Sequence, residues 1–524
     1  MSINKAVLGR GALAALAGFV SGYAALALAE LLAAWVRPEA GPVTAVGGAV
    51  IDRTPAGVKD WAIRNFGTSD KLVLQAGILV TIALLAMALG VLALRMRRTG
   101  VAGVALFGVV GAVAALKRPD STSFTDALPS LVGGLAGGAL LYYLSGLLVA
   151  RPERDAAAPD GGWNRRRFLL ITGAAAAVGT GAGVAGRALT SARAGDAVAS
   201  RAAVILPRPS SPAPAFPRGA ALRVPGISPF VTPNKDFYRV DTALVVPRVS
   251  ADSWRLRIHG RGVRRERDLS FEDLLSRELI ERDLTLTCVS NEVGGPYVGN
   301  ARWLGVRLAD LLDEAGVRPP SKGGPADQLV ARSVDGMTLG TPVEDVMDGR
   351  DSMLAVGMNG EPLPFIHGFP VRMLVPGLYG YVSACKWIED IELTTFDTYD
   401  PYWVKRKWAR KAPIKTQARI DTPKPFARPA TGTVMVAGVA WAQHRGIDRV
   451  EIRVDDGPWQ DADLAAEDSR DTWRQWSYPW KATPGTHTLT VRATDRTGET
   501  QTERRTRTIP DGASGWHSVV VTAQ

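Results

Sequence analysis

Cys288 closes an alternating strand pattern, Leu284, Thr285, Leu286, Thr287, and opens into the loop Asn291-Glu292-Val293-Gly294-Gly295-Pro296. A strand that ends in a thiol and runs into glycines presents one soft ligand at the rim of a sheet. The missing side-chain bulk lets a cofactor approach the backbone there. It is one of only two cysteines in 524 residues; the other is Cys385. The residues alone leave three readings open: a soft metal ligand, one disulfide with Cys385 in an oxidising compartment, or a small buried hydrophobe.

The chain that positions this thiol is too long for one domain. Its first 190 residues are rich in Ala, Leu, Gly and Val, and the rest has the mixed polarity of a soluble protein. Four apolar runs stand out, 11–36, 72–94, 101–116 and 128–150, and a weaker one, rich in Gly and Ala, covers 168–186. These lengths predict membrane-spanning helices. The net charge of +11 falls largely in arginine clusters beside those runs, Arg95, Arg97 and Arg98, then Arg165, Arg166 and Arg167. Arginines so placed orient helices in a bilayer and give no sign of nucleic-acid binding. Five crossings with the N-terminus inside put everything after about residue 190 on the outer face of the plasma membrane. Lys117, Arg118 and the mildly charged loop 37–71 sit less well with that topology.

Arg165-Arg166-Arg167-Phe168-Leu169 ahead of a weakly apolar segment resembles a twin-arginine export signal, with a plain basic anchor as the alternative. Ala197–Ala199 offers an Ala-x-Ala cleavage triplet, so retention of the anchor stays open. No histidine precedes His259 and no Cys-x-x-Cys-His occurs, so no haem is expected in the helical part. Gly133, Gly134, Gly137 and Gly138 make small-xxx-small pairs suited to helix contact. Glu30, near the outer end of the first run, is an intramembrane carboxylate or an interfacial one. Prolines at 207, 209, 212, 214 and 217 mark an extended linker. The last hundred residues alternate β-formers with Gly, Pro and Asp turns, as an antiparallel sandwich does. The predicted organisation is multidomain: a helical membrane bundle (1–160), an export-like segment, fifth helix and linker (161–233), an α+β catalytic domain (234–415), and an all-β immunoglobulin-like sandwich (416–524).

The segment 284–312, together with LAVGMNGEPLPFIHGFPVRMLVPGLYGYVSACKWIEDIEL at 354–393, resembles the sulfite oxidase family of molybdopterin-dependent oxidoreductases, in a membrane-anchored bacterial form. The resemblance covers roughly 230–524. It implies a molybdenum ion held by a pterin dithiolene and by one protein thiolate, Cys288. It also implies an immunoglobulin-like dimerisation domain, hence a homodimer, and a separate electron-transfer partner. Phosphate on the pterin needs fixed cations and backbone donors, for which His367, Arg372 and Lys386 are the candidates. Arg302 and Trp303 would contact the pterin. Asn234, Phe237 and Tyr238 stand where related enzymes begin the cofactor pocket. Arg239 lies near the family's substrate-anion arginine, and Tyr399, with Tyr402 competing, near its active-site tyrosine. Plainer alternatives are an ion pair for Arg372, a core aromatic for Trp303 and a turn cap for Asn234.

One departure bears on the substrate. Sulfite-oxidising members carry arginines shortly after the ligand cysteine, where this chain has Asn291, Glu292 and Val293. A buried dianion needs paired cations, so reduction of a neutral S-oxide or N-oxide competes with sulfite oxidation. Glu292 then reads as a proton relay or as a solvated loop carboxylate. The expected function is extracytoplasmic oxygen-atom transfer. The rival is a non-enzymatic surface protein that binds through its sandwich, with Cys288 paired to Cys385.

Overall fold

The structure, a computed structural model, describes residues 5–54, 58, 61, 65, 66, 70–121, 123–149 and 165–524. The stretch 151–164 that leads into the arginine triplet, and parts of the loop 37–71, lie outside the described residues. The chain forms two compact units, Met1–Asp196 with Ala243–Val245, and Ala197–Thr242 with Val246–Gln524.

In the first unit the apolar runs become helices, since none holds a proline beyond its first turn; Pro129 stands at the start of its helix, where no ladder bond is lost. They are α1 (Lys5–Val36), α2 (Pro42–Arg53), α3 (Asp70–Ala93), α4 (Arg97–Leu116), α5 (Leu128–Leu148) and α6 (Arg165–Ala203), whose end enters the second unit. Five helices among the described residues, all but α2, are long and apolar enough to cross a membrane. Two differences from the expectation have simple causes. Pro42 at the first helical position starts α2 inside the stretch read as a loop. The run read as 168–186 continues to Ala203, because alanine-rich chain carries helix through the polar residues until Pro207 approaches.

Close approach of the helices depends on glycine. A side chain at Gly133 or Gly137 would strike Ala25 or Ser21 of α1, and one at Gly134 would strike Gly108 of α4. At one end of the bundle Arg37 reaches Asp120 at 2.8 Å and Asp126 at 2.7 Å, and Arg118 reaches Asp120 at 2.9 Å. Both carboxylates are buried.

The second unit begins with an extended stretch. Residues 204–254 carry no helix or strand beyond one bridge, Ser211 to Ile280. Proline density explains the lack of regular structure, yet this is no free tether. Phe230 is buried, and the amides of Ser210 and Thr232 donate to the carbonyls of Leu279 and Asn300. Ten strands follow: β1 (Arg255–Gly260), β2 (Arg267–Ser270), β3 (Leu279–Thr287), β4 (Val298–Arg307), β5 (Gln328–Ser333), β6 (Thr338–Pro342), β7 (Met353–Met358), β8 (Glu361–Pro362), β9 (Arg372–Leu374) and β10 (Ile388–Thr394). They make two sheets, β2-β1-β10-β5-β6 and β3-β4-β7-β8, with β9 also on β7. Short helices intervene: α7 (Phe271–Leu275), α8 (Leu308–Glu314), α9 (Val343–Met347) and α10 (Gly380–Ser383). Trp303, Trp254, Leu354 and Ile391 belong to one continuous core between them.

The remaining strands are β11 (Gln417–Thr422), β12 (Gly432–Trp441), β13 (Ile447–Val454), β14 (Gln460–Asp461), β15 (Asp463–Leu464), β16 (Arg474–Ala482), β17 (Gly485–Asp495) and β18 (His517–Ala523). Two four-stranded antiparallel sheets, β11-β12-β16-β15 and β14-β13-β17-β18, enclose a core of Val436, Trp476, Trp480, Leu489 and Val519. This is the arrangement the alternating pattern predicts.

Candidate active site

β3 and β4 are antiparallel, and their last ladder pair is Thr287 with Val298. Beyond it the amide of Cys288 still donates to the Tyr297 carbonyl at 2.9 Å, so the thiol sits at the very end of the ladder. Two turns then fold the connection. The Asn291 amide returns to the Cys288 carbonyl and the Gly295 amide to the Glu292 carbonyl. The Asn291 side-chain oxygen closes them by accepting from the Tyr297 amide at 2.8 Å.

Cys288 lines a cavity with Phe237, Tyr238, His367, Arg372 and Lys386, so six of the candidates from the sequence meet in one place. Both cysteines are free thiols and both line it. Burial pushes the Cys288 thiol above its ordinary range, while the Ser290 amide at 3.4 Å and the Lys386 charge pull the other way. A thiolate here therefore requires a neighbouring positive ion. Among the described residues no three His, Cys, Asp or Glu side chains converge on a metal position. A thiol without such a cluster around it fits an ion that brings further ligands with its own cofactor.

The cations have the same character. Arg372 is 6 % exposed. Its Nη1 donates to the His367 carbonyl at 3.2 Å, and its Nε is buried without a partner. Burial lowers its pKa to about 10, so it stays charged at neutral pH. A buried guanidinium with no carboxylate bonded to it is costly unless an anion joins it. Lys386 is pulled down to about 8 by burial, against the pull of Asp241, which its Nζ meets at 2.7 Å. His367 is neutral: burial holds it at about 4, and its Nε2–H donates to the Asn234 carbonyl at 2.9 Å. Its remaining ring nitrogen, Nδ1, is then an acceptor, so it offers a phosphate neither a donor nor a fixed charge. Phe237 stacks on Tyr238 at 5.2 Å and meets Trp303 and His367 edge-on, giving flat apolar walls. These residues fit an anionic, aromatic cofactor with a metal at the thiol.

The other candidates stand apart from the cavity lining. Arg302 and Trp303 are successive residues of β4 and so point to opposite faces. Trp303 is fully buried beneath the Arg372 guanidinium at 5.1 Å, whereas Arg302 pairs with Asp283 at 2.7 Å and lies over Phe216. Asn234 bonds Glu361 and Asn359 through its side chain and touches the site through its carbonyl. Arg239 is held by Asp241 at 2.8 Å and thus connects to Lys386 through that carboxylate. Glu292 is exposed. The Tyr399 hydroxyl donates to Thr338 at 3.3 Å, and Tyr402 packs on Trp403.

Three groups escaped sequence reasoning. Asp241, two residues past Arg239, ties Arg239 and Lys386 together. Tyr381, Trp403 and Trp408 form part of the cavity wall; the aromatic density of DPYWVKRKW was the available signal. The third group comes from the sandwich. Arg419 on β11 donates to the Gly295 carbonyl at 2.8 Å and to Ser228, and pairs with Asp421 at 2.7 Å. His517 on β18 accepts the Ile420 amide at its Nδ1 and turns its other ring edge to Gly294. Gln443 grips the Thr285 carbonyl and the Thr287 hydroxyl. Both sides of Cys288 are thus held by the sandwich.

Comparison with known proteins agrees with this geometry. Residues 243–403 match the family model described as oxidoreductase molybdopterin binding domain, and 417–491 match that of a bacterial Ig domain. Mitochondrial sulfite oxidase of Rattus norvegicus is 29% identical over 291 residues, 47% of this chain and 52% of its own. The chain thus spans about half the length of that relative. Uncharacterized oxidoreductase YuiH of Bacillus subtilis is 33% identical over 150 residues, 29% of this chain and 69% of its own. Among solved structures, sulfane dehydrogenase SoxCD from Paracoccus pantotrophus superposes with a TM-score of 0.49 at 25% identity, covering 59% of this chain and 84% of that one.

Proposed function

Because the chain belongs to the sulfite oxidase family of molybdopterin-dependent oxidoreductases, we propose that it transfers an oxygen atom at the cavity beside Cys288. The chain would be membrane-anchored, with this site on the extracytoplasmic face. The observation that carries the reading is one cavity lined by both a buried thiol, Cys288, and a buried guanidinium with no carboxylate bonded to it, Arg372.

Cys288 would supply the protein thiolate, Arg372 and Lys386 the charges for the phosphate, and Phe237 and Tyr238 the walls, with Trp303 packed behind them. The cofactor, when bound, supplies a molybdenum centre able to exchange one oxygen atom and two electrons. The chain supplies placement. Asp241 fixes Lys386, His367 stays neutral and presents an acceptor nitrogen, and the sandwich holds the loop that carries the thiol. Two overall reactions fit. Sulfite and water would give sulfate, two protons and two electrons; or a neutral oxide, two protons and two electrons would give the reduced compound and water. In either case a separate redox partner takes or gives the electrons.

Five apolar helices support the anchor. The Arg37–Asp120–Asp126–Arg118 network supports the orientation, since Arg118 there is neutralised by buried carboxylates and no longer counts against an outer location. The rival surface-binding reading lacks its disulfide, as both cysteines are free. The test is turnover by the purified, molybdenum-loaded chain of sulfite with ferricyanide, and of S- and N-oxides with reduced benzyl viologen. Loss of both on replacing Cys288 by Ser is the expected result. Molybdenum-loaded protein inactive in every assay contradicts the proposal.

A further inference from the structure

The helices of the first unit enclose a cleft whose lining is ordered by polarity. α1 and α3 touch where glycine has no side chain: a Cβ on Gly18 would strike the Ala86 carbonyl, and one on Gly90 the Ala14 carbonyl. From Ala86 towards Gln75 the space between these helices and α6 is a cleft of about 910 Å³. Tyr23, Leu26 and Glu30 of α1 line it, as do Gln75, Leu79 and Ala83 of α3. Thr180, Val184 and Arg187 bring in the wall of α6, tied to α1 by the Tyr23–Thr180 hydroxyl bond at 3.0 Å. Each set recurs every three or four residues, so each is one stripe of its helix.

The polar groups gather at one end of the bundle. Glu30 lies within two turns of the end of α1 at Val36, and Gln75 within two turns of the start of α3 at Asp70. The Val43 amide donates to the Glu30 carboxylate. Gly41 leaves room for it, since a Cβ there would stand 3.0 Å from both carboxylate oxygens. Leu26, Leu79 and Ala83 continue inward as apolar wall. Such a cleft suits an amphiphile with its head at Glu30 and its tail between the helices. Among the described residues of the lining, Glu30 and Glu39 outnumber Arg187, so a phosphate head would be repelled and a neutral one accepted. A ring carrying two oxygens fits these groups: the Gln75 amide can donate to a carbonyl oxygen, and the Glu30 carboxylate can accept from a hydroxyl. An ionisable side chain within a membrane segment that meets such a head has a role in proton exchange.

One short segment of chain serves both this cleft and the cavity at Cys288: Val245 lines the first, and Thr242, three residues earlier, lines the second. Ala243–Val245 packs with the helices, through the Lys71 ammonium on the Ala243 carbonyl and Leu244 against Gly47. We propose that the cleft binds a lipid-soluble quinone, its ring at Glu30 and Gln75 and its tail along Leu26, Leu79 and Ala83, and that this quinone is the redox partner of the Cys288 site. This rests on the oxygen-transfer and membrane readings above and names their electron carrier. The stoichiometry matches, since both reactions exchange two electrons and two protons. In one direction a quinol and an oxide give quinone, the reduced compound and water. In the other, sulfite, water and quinone give sulfate and quinol. Glu30 takes or returns the proton at the ring oxygen it meets.

The experiment uses the full chain in detergent, loaded with molybdenum, with decylubiquinone as the probe. Equilibrium dialysis reads binding without turnover. Turnover is read with decylubiquinone or decylubiquinol and, separately, with ferricyanide or reduced benzyl viologen. Ala83→Trp fills the cleft, with Leu79→Trp as the second variant if the first lowers the melting temperature, and Glu30→Gln removes the carboxylate alone. Expected are stoichiometric binding to wild type, a Kd raised about tenfold or more by the tryptophan, and quinone-linked turnover lowered about tenfold or more in Glu30→Gln. Dye-linked turnover and metal content should stay unchanged. Equal binding in wild type and a tryptophan variant, or retained phospholipid that decylubiquinone does not displace, overturns the proposal. So does bound quinone that supports no turnover in protein active with the dyes. Wild type that binds quinone yet is inactive with dyes and quinone alike overturns the oxygen-transfer reading instead.

Discussion

Gly294 is where the thiol loop is most sensitive to one added methyl group. Its φ is +78°, and a Cβ there would lie 2.2 Å from Cδ2 and 2.3 Å from Nε2 of His517. The left-handed backbone alone costs an L-residue roughly 1–2 kcal/mol. Forcing a methyl into a packed ring costs a further 1–3 kcal/mol, roughly. His517 cannot simply swing away, because its Nδ1 accepts the Ile420 amide at 3.0 Å. Gly294→Ala should therefore destabilise the second unit by about 2–5 kcal/mol, a fall in Tm of roughly 3–7 °C for a unit of this size. Thermal unfolding of the full chain in detergent, followed by near-UV circular dichroism, measures it. Gly294→Ala with His517→Ala completes a cycle: the double variant should lose less than the two single losses added, by about 1–3 kcal/mol, because the collision is gone. The displaced loop should also expose Cys288, seen as faster thiol labelling in metal-free protein. A Tm within about 2 °C of wild type, or strictly additive losses, would refute the reasoning.

Further expectations follow from the buried charges. His517 is held at about 4 by burial, next by the Arg419 charge, against 6.5 when unfolded. Between these values the unfolded chain binds a proton that the fold refuses, so stability should fall as pH drops from 6.5 to 4 and level off below. His367, also held at about 4, adds in the same direction. Melting temperatures across that range test this, with a shallower slope expected in His517→Asn. Arg372→Met removes a buried cation that the protein itself leaves without a carboxylate. Metal-free protein should keep its stability or gain about 1–4 kcal/mol, while protein made in a pterin-competent host should lose its molybdenum. A large loss of stability in the metal-free variant would mean that Arg372 is structural.

Much of this architecture is readable in the residues. Apolar length without an interior proline marks the membrane-type helices, and period-two alternation marks the sandwich, because both patterns report local burial. The thiol and its loop are legible for the same reason: Thr287 ends a ladder and Gly294 needs a backbone that few other residues adopt. Side-chain direction is less legible. Arg302 and Trp303 look equivalent in a motif, yet strand alternation sends one outward to Asp283 and the other under Arg372. Contacts distant in sequence are hidden altogether. Nothing local announces that Arg419 and His517, more than a hundred residues downstream, hold Gly294 and Gly295. Lys386 likewise gains its partner from Asp241, far upstream.

The most direct test of the account is elemental analysis for molybdenum of the full chain purified from a pterin-competent host, in wild type and Cys288→Ser. Stoichiometric molybdenum in wild type, lost or catalytically silent in the variant at unchanged melting temperature, is the expected result. Wild-type protein free of molybdenum, or a variant that keeps both metal and turnover, would contradict the assignment of Cys288 as the protein's ligand to the metal.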